Sequence, residues 1–280
     1  MPELPEVEVI RLFLYPRLVG KKITRLNILT PKSFIGSPTQ IFNSTITRLS
    51  RKGKQLSIHF ANKLTLLFHL KMTGQLIVGD YMLGHPTKTI NPKSTRLIFT
   101  FSDQSTLYFN DQRKFGWVKL LTNDELSESQ KNLGVDILSP DFTCHYLYSQ
   151  LHRSSRPIKT YLLDQSRFAG VGNIYANDAI FLSRIHPLTP SNKITLALSK
   201  KLTKNLIEIM KLSIQSGGST AKDNNYVRPD GSRGSNQFYF RVYQKQGQPC
   251  LVCGTPIERL KINGRSAFFC PRCQPLQSSL

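Results

Sequence analysis

The chain predicts a multidomain α+β protein, and three features of the sequence carry that prediction. Apolar residues at helical spacing near the start give way to about a hundred residues of short β-type runs, after which helical periodicity returns. The chain then closes on two Cys-x2-Cys pairs that flank an Asn-Gly hairpin signal.

The leading element is a helix over Pro5 to Leu18, where Val7, Ile10, Leu14 and Leu18 share one face and Gly20 is a stop signal. Pro16 should kink or shorten its last turn. Between Lys22 and Leu121 eight strands are expected: Ile23 to Leu29, Ile46 to Leu49, Gln55 to Phe60, Leu64 to Leu70, Gln75 to Val78, Arg96 to Phe101, Ser105 to Asn110 and Trp117 to Leu121. Turn residues separate them, which points to an antiparallel sandwich or barrel. A polar stretch with little periodicity follows, then helices over Asp141 to Leu151, Ile158 to Leu163, Ile174 to Ser183 and Ile194 to Ser216. The domain boundaries are accordingly 1–122 for the β-sandwich with its leading helix, 123–140 for a linker, 141–238 for a helical domain and 239–280 for the cysteine hairpin.

Lys+Arg 38 against Asp+Glu 17 gives a formal net charge of +21, an excess that suits a polyanion partner. No apolar run reaches the ~18 residues of a membrane span, and the acidic, proline-containing start is unlike a signal peptide. The expected setting is intracellular, in the cytoplasm at the nucleoid. Of the five cysteines, Cys250, Cys253, Cys270 and Cys273 have the spacing of a tetrahedral four-thiolate zinc site. Such a site has no open position, so one structural Zn2+ is expected at the base of a hairpin formed by Ile257 to Ile262 and Ser266 to Phe269. Cys144 reads as an ordinary thiol.

The start, Met1-Pro2-Glu3-Leu4-Pro5-Glu6, also carries chemistry. Removal of Met1 would leave Pro2 with a terminal secondary amine, and an α-amino group of pKa about 7.7–8.0 has a useful neutral fraction at physiological pH. A neutral amine can attack a carbonyl-type carbon and form a Schiff base. Glu3 and Glu6 are close enough in sequence to move protons at the same centre. Taken alone, the same hexapeptide is also a good helix opening. Gly170-Val171-Gly172-Asn173-Ile174-Tyr175 allows a tight turn into a helix whose first N–H groups can meet a phosphate, and Gly217 to Gly234 is a long glycine-rich, polar segment without a core pattern.

Pro2 to Glu8, His69 to Gly74, Asp111 to Gly116, Gly170 to Tyr175 and the cysteine hairpin resemble, in order, the motifs of the formamidopyrimidine-DNA glycosylases. The resemblance implies a bifunctional DNA glycosylase with β,δ-lyase activity on oxidised purines (8-oxoguanine and formamidopyrimidines), acting as a monomer on damaged double-stranded DNA. It implies that the helical domain is a helix-two-turns-helix. By the same resemblance Pro2 is the nucleophile, Glu3 shuttles protons at the sugar, Glu6 helps position the lesion, and Lys54 acts near the phosphate. His69, Asn173, Tyr243 and Arg265 match phosphate contacts. Met72, Arg113 and Phe115 match side chains that fill the hole left by an everted base, with Lys114 inside the same motif. Without the resemblance, Met72 and Phe115 would read as core residues. The segment 217–234 resembles a loop that folds over the everted purine.

Three departures from the family pattern stand out: Asp178 where a glutamate is usual, Gln244-Lys245 where Gly-Arg is usual, and Lys93-Ser94-Thr95-Arg96 where many members carry two histidines. Two alternatives remain open in the sequence. One is an endonuclease VIII-like glycosylase for oxidised pyrimidines, disfavoured by Glu3-Leu4-Pro5, by the Arg113/Phe115 motif and by the long 217–234 loop. The other is a non-catalytic zinc-finger DNA-binding protein.

Overall fold

A computed structural model describes residues 1–79, 91–220 and 226–276. These form two compact units, Met1–Asn132 with Ser213–Gln237, and Leu133–Leu212 with Phe238–Leu280.

In the first unit, helix α1 spans Leu4–Leu18 and buries Leu4, Val7, Ile10, Leu14 and Leu18 at 0–1% exposure. The helix runs through Pro16 where a kink or early stop was expected. Pro16 lies on the exposed side, and the amide of Val19 closes the end on the Tyr15 carbonyl, so the bond lost at proline falls where water can replace it. Nine strands follow among the described residues: β1 (Ile23–Ile28), β2 (Phe34–Ile35), β3 (Ile46–Lys52), β4 (Gln55–Phe60), β5 (Thr65–His69), β6 (Gly74–Val78), β7 (Thr95–Phe101), β8 (Thr106–Asp111) and β9 (Trp117–Leu121). Eight answer to the sequence expectation. The ninth, β2, is too short to carry a pattern.

The strands form two sheets, ordered β1-β7-β8-β6 and β2-β9-β5-β4-β3, antiparallel except where β2 meets β9. Alternation along the strands decides their packing. Leu97, Phe99 and Phe101 of β7 and Leu107 and Phe109 of β8 join Leu66 and Phe68 of β5 and Leu56, Ile58 and Phe60 of β4 in a single core with the apolar face of α1. The Phe68 ring meets Phe99 at 5.8 Å and Phe109 at 6.5 Å. The sandwich is thus stitched by aromatic rings from both sheets.

The polar stretch after β9 contains a helix, α2 (Asn123–Gln130), none of whose residues is buried. Periodicity cannot reveal such a helix. Its signal is a capping box: the Glu125 amide donates to Thr122 Oγ1 and the Thr122 amide to Glu125 Oε2.

In the second unit lie β10 (Val135–Asp136), α3 (Cys144–Leu151), α4 (Ile158–Tyr161), β11 (Phe168–Ala169), α5 (Asn173–Leu182) and the start of α6 (Leu196–Gln215). The hairpin of β12 (Glu258–Ile262) and β13 (Arg265–Phe269) turns through Asn263 and Gly264, both at positive φ (47° and 77°), the conformation that makes Asn-Gly a favoured two-residue turn. No helix among the described residues is long and apolar enough to cross a membrane.

Leu14 is fully buried between helix and sheets, so Leu14→Ala is expected to lower the unfolding free energy by about 2–5 kcal/mol in a urea titration.

Candidate DNA-repair site and metal centre

At the start of α1, Glu3 and Glu6 are 2% and 1% exposed. Glu6 Oε2 accepts the Glu3 amide at 2.9 Å, and Glu6 Oε1 accepts the Ser219 amide, also at 2.9 Å, across 213 positions of sequence. One carboxylate therefore holds both the residue after Pro2 and the returning segment 213–237. Pro2 is buried, and its nitrogen is in peptide linkage to half-exposed Met1.

The returning segment is fastened by its own network. Tyr226 Oη donates to the Gly217 carbonyl, Thr220 Oγ1 donates to the Tyr226 carbonyl and accepts the Gly234 amide, and Asn236 Nδ2 donates to Ser219 Oγ. A Cβ on Gly234 would stand 2.1 Å from the Gly218 carbonyl oxygen. That crossing requires glycine. Burial, with the Glu6 charge nearby, pushes the Tyr226 phenol well above its ordinary range. Residues 221–225 of the expected lesion loop lie outside the described residues.

Lys54 follows Gly53 (φ 57°) in the β3–β4 turn and is 9% exposed. The neighbouring strand end is tied to α1 by charge, since Glu8 accepts from Arg11 and from Arg51 Nε at 2.9 Å. His69 Nδ1 accepts the Lys71 amide at 3.1 Å, which leaves the proton on Nε2, free to donate. Burial, helped by the Lys71 and Lys54 cations, pulls His69 down to about 3. The ring is then a neutral donor at physiological pH, suited to a phosphate oxygen.

Met72 and Phe115 are 37% and 54% exposed. Neither is core, the role that composition alone would give them. The Arg113 guanidinium lies 4.8 Å from the Phe115 ring centroid. Their loop is pinned by fully buried Asp111, whose carboxylate takes the Thr73 hydroxyl and the amides of Arg113 (3.2 Å) and Gly116 (2.6 Å). Lys114, at the loop's crest, has φ 59° and is exposed. Arg96 is buried and donates Nε to the Asp111 carbonyl and Nη2 to the Lys93 carbonyl. Its charge is used inside the fold to brace the same loop.

In the second unit, Asn173 opens α5 with Gly172 as N-cap. Its Oδ1 meets the ammonium of fully buried Lys159, and its Nδ2 reaches the Ser266 carbonyl at 3.3 Å. Lys159 sits in an apolar run and gave no sequence signal. Asn177 Oδ1 takes the Phe268 amide at 2.8 Å, so α5 carries the hairpin directly. Asp178 is buried and receives the amides of Arg241, Val242 and Tyr243 at 2.9–3.1 Å. Burial raises its pKa, and the three amides oppose the rise. The shorter acid thus clamps the turn that presents Tyr243, whose ring centroid lies 5.5 Å from that of Phe268. Arg265 is exposed at the first position of β13.

The four expected cysteine sulfurs lie within 4.8 Å of one another. The separations of 3.4 Å for Cys253–Cys270 and Cys253–Cys273 and 3.9 Å for Cys250–Cys273 are too long for disulfides. They suit thiolates about 2.3 Å from a tetrahedral zinc. Amides of Val252 and Cys273 donate to Cys250 and Cys270 sulfurs.

Three family models cover most of the chain: the formamidopyrimidine-DNA glycosylase N-terminal domain over residues 1–118, the H2TH domain of the same enzymes over 133–225, and a zinc finger found in FPG and IleRS over 247–276. A formamidopyrimidine-DNA glycosylase of Ligilactobacillus salivarius is 37% identical over 284 residues, covering 99% of this chain and 100% of that protein. The chain belongs to the formamidopyrimidine-DNA glycosylase family. Among solved structures, the MutM (FPG) protein of Thermus thermophilus superposes with a TM-score of 0.88 at 34% identity, covering 98% of each chain. The Lactococcus lactis FPG bound to DNA containing FAPY-dG matches with a TM-score of 0.87 at 32% identity, over 98% of this chain and 100% of that one.

Membership in this family of DNA-repair enzymes fits the four-cysteine cluster, a site for one structural zinc ion. All four protein ligand positions are cysteines, so the metal's contribution is to hold the hairpin that carries Arg265. Chelation should therefore release the four thiols to a thiol reagent and loosen β12 and β13 in hydrogen exchange, while the amides of the β-sandwich stay protected.

Two imidazoles set an acid limit. His59, bonded to Ser50 Oγ and Thr65 Oγ1, is pulled down to about 4, chiefly by burial, and His69 to about 3. A histidine held below its unfolded value favours the fold above about pH 6.5, and that stabilisation is lost as pH falls from there toward the folded values. The urea midpoint should drop between pH 7 and pH 4.5, with a shallower drop in His59→Gln.

Proposed function

We propose that the protein is a bifunctional DNA glycosylase and abasic-site lyase for oxidised purines, working as a monomer through a Schiff base on Pro2. What carries the reading is the buried Glu3/Glu6 pair beside Pro2, with Glu6 shared between the Glu3 and Ser219 amides. Removal of Met1 converts the Pro2 amide nitrogen into a secondary amine. That amine attacks C1′ of the damaged nucleotide, the C1′–N bond to the base breaks, and the departing base takes a proton. Loss of the ring oxygen from C1′ gives the iminium. Glu3, next to the amine, relays protons during ring opening and the removal of a C2′ proton that expels the 3′ phosphate; a second elimination expels the 5′ phosphate.

Glu6 positions the lesion by holding the 213–237 segment. In the first unit, Lys54 and neutral His69 serve phosphates, Met72 and Phe115 enter the vacated stack, and Arg113, held over Phe115, addresses the widowed base with Lys114 alongside. In the second, Asn173, Tyr243 and Arg265 grip the backbone. Exposure of Met72 and Phe115 fits these roles, since a side chain must be accessible to enter the stack.

Borohydride should trap the protein, freed of Met1, on a duplex containing 8-oxoguanine, with the cross-link mapping to Pro2. A cross-link at another residue, or none in material shown by mass to begin at Pro2, would remove the mechanism. Glu3→Gln is expected to slow base release by about 10²–10⁴-fold while binding to an abasic-site analogue is kept. Faster cutting at thymine glycol than at 8-oxoguanine would move the substrate class to oxidised pyrimidines.

A further inference from the structure

The second unit contains a cleft of about 220 Å³ lined by Arg156, Thr160, Leu163, Asp164, Asn263 and Arg265. It is walled on one side by the residues around α4 and on the other by the tip of the zinc hairpin. Arg265 has a role by family resemblance, whereas Arg156 belongs to none of the motifs read from the sequence.

The chemistry of Arg156 is that of a cation held in waiting. Its Nη1 donates to Asp164 Oδ2 at 3.2 Å, and its guanidinium lies 5.5 Å from the Tyr161 ring centroid, yet half of the side chain (51%) remains exposed. Asp164, by contrast, is fixed. Its Oδ1 takes the amide and hydroxyl of Ser166, and these bonds together with Arg156 hold its carboxyl below the ordinary range against the opposing effect of burial. The backbone of Arg156 is equally fixed, with its carbonyl accepting the Ser191 amide and hydroxyl. An exposed arginine paired with a fixed carboxylate across one weak bond is easily drawn away by a stronger anion, because surface ion pairs contribute little. A phosphodiester can engage two guanidinium groups facing one cleft.

The geometry points to Arg156 and Arg265 as the two sides of one phosphate site on this unit, with Asp164 holding Arg156 in place until DNA arrives. The inference rests on the reading of the protein as a DNA-binding glycosylase and adds a backbone contact to it. Asp164 then acts as a competitor for the arginine, so it sets how readily the site accepts DNA, and the two residues should be energetically coupled in binding.

The test is equilibrium binding to an undamaged duplex and to one with an abasic-site analogue, at several salt concentrations, for the full chain with its zinc. Arg156→Ala should lower the slope of log affinity against log salt by about 0.9, as for the loss of one phosphate contact. Asp164→Asn, which keeps the acceptor for Ser166 and removes the charge, should tighten binding about two- to fivefold, and that gain should vanish in the Arg156→Ala background. An unchanged slope in Arg156→Ala, or an equal gain from Asp164→Asn with and without Arg156, would overturn the site. Thermal melts check that both variants fold. Failure here is distinct from failure of the proposed chemistry, since binding is read without turnover: trapping at Pro2 with an unchanged slope sinks only the arginine site, and a lowered slope with trapping elsewhere sinks only the mechanism.

Discussion

The carboxylate of Glu6 is the constraint on which the first unit depends. One oxygen satisfies the backbone at the helix start and the other takes the Ser219 amide. A buried carboxylate is costly unless both oxygens are paired with donors. Here the requirement is met by joining two places far apart in the chain, so the placement of Ser219 and that of the helix start are one structural fact. The apolar face of α1 supplies the foundation, fixing the helix on the sandwich through Val7, Ile10, Leu14 and Leu18.

The same device recurs where other candidate site residues are presented. Asp111 pins the loop of Arg113 and Phe115 through the Arg113 and Gly116 amides and the Thr73 hydroxyl. Asp178 pins the approach to Tyr243 through three consecutive amides. A carboxylate is well suited to this work, since two oxygens with about four lone-pair sites can organise a turn that has no regular hydrogen-bond ladder. In a chain with a formal net charge of +21, these few acids are spent inside, as structural acceptors. The buried cations Lys159 and Arg96 are likewise matched to acceptors of the protein itself.

Much of the fold was legible because period-two alternation and helical spacing reflect burial directly. The strands Gln55–Phe60 and Trp117–Leu121 match expectation at both ends, and the cysteine spacing led straight to the cluster. What periodicity could not show was α2, held by its cap with no buried residue, and the passage of α1 through Pro16. In the candidate site, the motifs singled out Glu3, Glu6, Arg113, Phe115, Asn173 and the cysteines, and the structure brings the four cysteines together. The motifs gave no sign of Lys159, the buried ammonium beside Asn173, nor that Arg96 would turn inward to carbonyl oxygens. Both facts depend on partners distant in sequence, and no local pattern encodes them.

The 213-residue span of the Glu6–Ser219 bond also has a bearing on biosynthesis. Residues 1–6 leave the ribosome well before Ser219 is made, an interval of roughly 10–40 s at about 5–20 residues per second. During that time Glu6 has no latch, and the Met1–Pro2 peptide stands open to an aminopeptidase. In the folded chain the Ser219 amide is on Glu6, and Pro2 is buried while Met1 is partly exposed. The proposed nucleophile can therefore be freed on the nascent chain before Glu6 acquires its second partner.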